Sequence, residues 1–78
     1  MVDPASIESS IREGLQCQHV EVTGDGAHFE AVIVSPEFAS LPRVRQHQLV
    51  YRALGDRMRE EIHALSMKTF SPDEWAAR

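Results

Sequence analysis

The sequence predicts an α+β domain. Its elements run helix, strand, strand, long helix, strand, short helix, with the helices packed on one face of a three-stranded mixed sheet. Three observations predict it. Apolar residues recur every three to four positions in two stretches, Ile7–Leu15 and Val44–Ile62, which is helical spacing. They alternate with polar residues at His19–Thr23, at His28–Ser35 and again from about His63 to Phe70, which is strand spacing. Capping and turn residues punctuate these stretches at the places where the period changes.

The first helix opens at Asp3-Pro4, with Asp3 as N-cap and Pro4 at the first helical position, where its missing N–H has no cost. Ile7, Ile11 and Leu15 form its inward stripe. Glu8, Arg12 and Glu13 stay in water, and Gly14 weakens the last turn. In the first strand, Val20 and Val22 share the buried side while His19 and Glu21 take the other. Gly24-Asp25-Gly26-Ala27 reads as a tight turn because glycines tolerate positive φ, and the strand HFEAVIVS returns antiparallel with Phe29, Ala31 and Ile33 inward.

Ser35-Pro36-Glu37-Phe38 stops that strand, with one helical turn or loop through Ser40. Pro42 starts the long helix, with Ser40 or Leu41 near its cap. At about 100° per residue, Val44, Val50, Tyr51, Leu54, Met58 and Ile62 fall on one arc together with His47, and Arg45, Gln46, Arg52, Asp56, Arg59 and Glu60 lie opposite. The third strand then sets Leu65 and Met67 on one side and Ser66 and Lys68 on the other. Glu30, Ser66 and Lys68 make the second face of the sheet partly polar. Ser71-Pro72-Asp73-Glu74 is a capping box, with Ser71 as N-cap and Glu74 at N3, and opens a last turn carrying Trp75.

The bulk numbers bound the function classes. The 78 residues make one domain near the lower limit for a single apolar core, and 42% hydrophobic with 26% charged residues is a globular balance. A net charge of −4 disfavours nucleic acid as the main partner. The single cysteine, Cys17, excludes an intrachain disulfide and suits a reducing compartment. No stretch is apolar enough to span a bilayer and the start MVDPAS does not resemble a signal peptide, so a soluble, cytoplasmic chain without a processed leader is expected.

Four histidines and Cys17 are the soft or borderline ligands. They form no CxxC, no HxxxH and no HExxH, so a closed metal site held by this chain alone is not expected. A site shared with another molecule needs only one or two ligands from it. His47, in mid-stripe, reads as a packed, hydrogen-bonded core histidine. His19 reads as solvated, and His28 as exposed at a sheet edge beside the turn. His63 stands at the helix-to-strand switch, where a side chain is both fixed and accessible; the residues alone leave it open between a structural part and a ligand. Cys17 has no adjacent lysine or arginine and reads as a small buried hydrophobe. There is no phosphate-cradling loop, since Gly24-Asp25-Gly26 leads into a strand, and no catalytic carboxylate pair stands out; an enzyme is not expected. Arg43, Arg45, Arg52, Arg57 and Arg59 on the long helix suit either phosphate contact or a solvated face balanced by Asp56, Glu60 and Glu61.

The segments GDGAHFEAVIVSPEF, RVRQHQLVYRAL and IHALSMKTFSPDEW together resemble the BolA-like family, most nearly its short bacterial, IbaG-type branch. The likeness runs from Ile7 to Trp75, and RxxHxLVYxxL with IHALS is specific as a set. The resemblance implies a KH-like (class II) fold and a non-enzymatic partner of monothiol glutaredoxins in iron–sulfur trafficking and iron homeostasis. It implies that His63 ligates a 2Fe-2S cluster shared with the glutaredoxin cysteine and glutathione, a neutral imidazole replacing a thiolate and raising the cluster potential. Members commonly add a Cys or His ligand from the loop between the first two strands. Here that loop is Gly24-Asp25-Gly26-Ala27, so His28 is the nearest substitute. The free chain is expected to be a monomer without a cofactor. The family is also linked to transcriptional regulation, which makes DNA, met by the basic helix, the alternative partner. No GxxG loop lies between two helices, so RNA binding of the KH type does not carry over.

Overall fold

The structure is a computed structural model and describes residues 2–78. The elements are α1 (Pro4–Gly14), β1 (His19–Gly24), β2 (His28–Val34), a 3-10 turn (Pro36–Phe38), α2 (Arg43–Leu54), α3 (Arg57–Glu60), β3 (Ala64–Phe70) and α4 (Pro72–Ala77). The sheet order is β1-β2-β3. β1 and β2 are antiparallel with His19 opposite Val34 and Gly24 opposite Phe29. β2 and β3 are parallel with His28 opposite Ala64 and Val34 opposite Phe70. The expected α+β architecture with a three-stranded mixed sheet is the one observed.

Strand alternation builds one apolar layer. Val20, Val22, Phe29, Ala31 and Ile33 point to the same side and meet Ile7, Ile11 and Leu15 of the first helical stretch and Val50, Leu54 and Ile62 of the second. Ile7, Ile11, Ile33, Phe38 and Val50 have no exposed surface at all. α1 and α2 cross closely at Gly14, where an added Cβ would lie 2.8 Å from both Cα and Cβ of Ala53. Gly14 is therefore there for helix–helix approach as well as for ending α1.

The expected long helix is two helices. After Leu54 the chain breaks at Gly55, with φ 58° and ψ −136°, a conformation that only glycine adopts readily. Gly55 closes α2 as its C-cap, its N–H donating to Tyr51 O at 2.9 Å, and the four-residue α3 sets off in a new direction. An apolar arc drawn through both helices misplaces residues on α2. Val44 is 63% and Tyr51 42% exposed, whereas Gln46, expected opposite, is 3% exposed. The buried line of α2 is Gln46, Val50 and Leu54, spaced at i, i+4, i+8.

Gln46 is tolerated inside because every polar atom finds a partner. Its Nε2 donates to the carbonyls of Phe38 (3.1 Å) and Leu41 (3.0 Å), and its Oε1 accepts from Thr69 Oγ1 (2.6 Å) and Arg43 Nη1 (2.9 Å). Arg43 also donates to the Thr69 carbonyl, so the start of α2 is stitched to β3. Neither Ser40 nor Leu41 caps α2: Pro42 occupies the N-cap without a side-chain bond, and Ser40 sits at φ 66°.

The helices that build the core, α1 and α2, lie on one face of the sheet. α4 turns instead to one end of the other face. Its Ser71 capping box forms as expected, with Ser71 Oγ accepting from Glu74 N (3.2 Å) and Glu74 Oε1 from Ser71 N (2.9 Å). That cap aims Trp75 at the row His19–Val34–Phe70, where it stacks on His19 with ring centroids 5.2 Å apart. His19 is therefore half-covered by an aromatic partner rather than simply solvated. The rest of this face is open, a shallow groove bordered by Glu21, Thr23, Glu30, Ser66 and Lys68.

Candidate ligand corner at the end of the sheet

His63 lies in a bend between α3 and β3, one residue before the strand begins, and is exposed. The bend is set from both sides. Upstream, Ile62 is 4% exposed and anchored in the core, and its N–H donates to Arg57 O at 2.9 Å, as does that of Glu61. Downstream, Ala64 is locked into the parallel ladder opposite His28. The sequence-derived placing of His63 at an element boundary, fixed yet open, is the arrangement found.

The same parallel register brings His28 to this corner. One inter-strand spacing and one residue's rise separate it from His63, roughly 6 Å between Cα atoms for regular strands. His28 is exposed, and its backbone N–H donates to Asp25 Oδ1 at 2.9 Å. Ala27 N–H donates to the same oxygen at 2.9 Å, closing the hairpin loop as an Asx turn. These two backbone donors hold the Asp25 carboxyl below its ordinary value. Of the two glycines that flank Asp25, Gly26 has the positive φ, 99°. Gly24 serves for space, since a Cβ there would come within 2.4 Å of the Phe29 ring.

The other nitrogen and sulfur ligands are elsewhere. Cys17 precedes β1 at the far end of the sheet, on the order of 20 Å along the strands from His28. Its thiol is half-buried and donates to Leu15 O at 3.3 Å, and burial pushes its pKa up. His47 lines a cleft with Arg43, Met67 and Phe70, but the hydrogen bond expected of a core histidine is missing: its Nε2 is buried without a partner. Among the described residues no three His, Cys, Asp or Glu side chains gather closely enough to hold a metal. This end of the sheet carries two exposed histidines; the register sets His28 opposite Ala64 and His63 one residue before it, so strand alternation does not by itself turn the two rings to one face.

The arginines divide. Arg57 is turned inward to bond α1, and Arg43 is held by Gln46, Thr69 and, at 3.8 Å, Glu74. Arg45 and Arg52 remain on the outer side of α2, lining a shallow cleft with Leu41, Gln48 and Leu49. Of the carboxylates expected to balance the helix arginines, Glu61 pairs with Arg57 at 3.3 Å, while among the described residues Asp56 and Glu60 form no ion pair. Sequence reasoning missed the inward part played by Arg57. It also missed the helix break, although a glycine at the end of a periodic run is a stop signal.

Residues 6–74 match the model of the BolA-like protein family. The chain is 39% identical over 71 residues to the acid stress protein IbaG of Escherichia coli K12, covering 90% of this chain and 84% of that protein. It is 38% identical over 60 residues to the DNA-binding transcriptional regulator BolA of Haemophilus influenzae, covering 77% of this chain and 58% of that one. Among solved structures, a BolA protein homologue from Coxiella burnetii superposes with a TM-score of 0.89 at 45% identity, covering 97% of this chain and 99% of that chain. These relatives carry the names of stress proteins and regulators. Among the described residues no helix is long and apolar enough to cross a membrane.

Proposed function

The chain belongs to the BolA-like family, and we propose that it is an adaptor that docks a monothiol glutaredoxin and shares a 2Fe-2S cluster with it, acting in iron–sulfur trafficking and iron homeostasis. His63 is the cluster ligand and His28 the second. The observation that carries this reading is His63, exposed in a bend held between buried Ile62 and the β2–β3 ladder, with His28 exposed at the same end of the sheet. A cluster needs four ligands, and glutathione with the partner's cysteine supplies the remainder. When bound, the cluster brings electron-transfer and iron-delivery chemistry; this chain contributes neutral nitrogen ligands on a backbone fixed by the β2–β3 ladder and by the Asp25 turn.

The test is co-reconstitution of the pair with iron, sulfide and glutathione, followed by visible circular dichroism. His63→Ala is expected to change the cluster bands, and an unchanged spectrum removes His63 from the coordination sphere. His28→Ala is expected to change them differently; if it does nothing, His28 is a surface residue of the hairpin.

A second reading, a DNA-binding regulator using the basic helix, draws on Arg45 and Arg52 beside Gln48. The segment Phe38–Gly55 carries no carboxylate at all. Two other arginines of the expected basic face are engaged within the molecule, which leaves a small patch on a chain of net charge −4. Sequence-specific retardation of DNA that persists at physiological salt supports this reading; retardation that ignores sequence and vanishes with modest salt reduces it to charge attraction.

A further inference from the structure

We propose that Arg57 is the positioning residue for His63: its guanidinium moors the α3 turn to α1 and so sets where the imidazole is presented. The relevance to ligation rests on the reading of His63 given above; the mooring itself rests on geometry. The segment that delivers His63 has few holds. It begins at Gly55, where the chain turns with nothing within 4 Å of a would-be side chain. No residue of α3 is fully buried; Met58 packs against the core only in part, and the next apolar anchor is Ile62. Its backbone is closed by the Arg57 carbonyl, which accepts from both Glu61 and Ile62 N–H at 2.9 Å, and His63 follows directly.

The side chain of the same residue makes the long-range hold. Nη1 donates to Ser6 O at 3.0 Å and Ser10 Oγ at 2.7 Å, and Nη2 donates to Ser6 Oγ at 2.6 Å and Glu61 Oε1 at 3.3 Å. Three of these four acceptors are on α1, 47 to 51 residues away in sequence. An exposed Arg–Glu pair at i, i+4 contributes little. Arg57 differs, because its side chain is only 22% exposed and its α1 acceptors are uncharged. What the site uses is the planar fork of donors, which a lysine of equal charge does not reproduce. Arg57 thus joins, through one side chain and one carbonyl, α1 to the last turn before His63.

The experiment compares Arg57→Lys, the double variant Ser6→Ala/Ser10→Ala and the control Arg59→Ala, each in the full chain. Two readouts are taken: amide hydrogen exchange of Glu61 to Ala64, and the visible circular dichroism of the cluster reconstituted with the glutaredoxin. For Arg57→Lys we expect those amides to exchange about tenfold faster while the amides of β1 and β2 keep their protection. We also expect the cluster bands to move toward those of His63→Ala. The double serine variant, which keeps the arginine and removes two acceptors, should move both readouts the same way and less far, and it stands in for the lysine variant if that one unfolds. Arg59→Ala should leave both unchanged. Unchanged exchange overturns the mooring. Faster exchange with a wild-type cluster spectrum, where His63→Ala does alter the spectrum, overturns the positioning role. If His63→Ala itself leaves the spectrum unchanged, the cluster reading fails, and exchange alone decides whether Arg57 holds the turn.

Discussion

His47 and Gln46 sit next to each other on α2 and solve the problem of a buried polar group in opposite ways. Gln46 spends all its hydrogen-bonding capacity on Phe38, Leu41, Thr69 and Arg43. Gln46→Leu therefore strands the Leu41 carbonyl and the Thr69 hydroxyl and leaves Phe38 O with the Leu41 N–H alone, and should lower unfolding free energy by about 1–3 kcal/mol in urea titrations. His47 has an unpartnered Nε2, and burial, aided by the neighbouring Arg43 charge, holds its pKa below the usual histidine value. The folded chain thus favours the neutral ring, and below about pH 6.5 the unfolded chain binds the extra proton. Stability from this residue is present above that pH and is lost as pH falls through the depressed folded value. His47→Gln, which cannot titrate, should flatten the fall in stability between neutral and mildly acidic pH. An unaltered profile would show that His47 is not its source.

The break at Gly55 makes two elements out of one helical stretch, and this is what gives His63 its bend. A helix continuous from Pro42 to Ile62 would keep its residues on one axis. The turn instead lets α3 leave α2, reach α1 through Arg57, and return Ile62 to the core. Any side chain at Gly55 meets no steric neighbour but is forced into a backbone region costing about 1–3 kcal/mol. Gly55→Ala should lower the melting temperature and raise amide exchange first in α3 and the His63 bend. If exchange instead rises evenly over the chain, the break is not a local device. At the other end of β3, the Ser71 capping box fixes the direction of α4, and with it the stack of Trp75 on His19.

Taken whole, the molecule separates what holds it together from what it offers. The core is one layer between sheet and helices, and Ile11 at its centre has no exposed surface. Ile11→Ala should cost about 2–5 kcal/mol through lost burial and the cavity left behind, a large share of the stability of so small a domain. The ligand corner lies outside that layer. His63→Ala should shift stability by no more than about 0.5 kcal/mol while altering the cluster bands. A large loss of stability would mean that the ring packs, and would weaken its assignment as a ligand.

Local periodicity was enough for the element types, the hairpin, the Asp3 and Ser71 caps, and the inward set Ile7, Ile11, Val20, Val22, Phe29 and Ile33, because each depends on neighbours within a turn or a strand pair. The motif run around IHALS marked the family and singled out His63. The family resemblance named His28 beside His63, but the register that sets His28 opposite Ala64, one residue past His63, was not legible, since it depends on the parallel pairing of two strands about 35 residues apart in sequence. Nor were the burial of Gln46, the inward turn of Arg57 or the stack of His19 under Trp75. Each of these is a contact between elements, decided by which face a helix presents once the chain has bent at Gly55. Sequence spacing records the period of a helix but not its rotation against the sheet, and that rotation was settled only by packing.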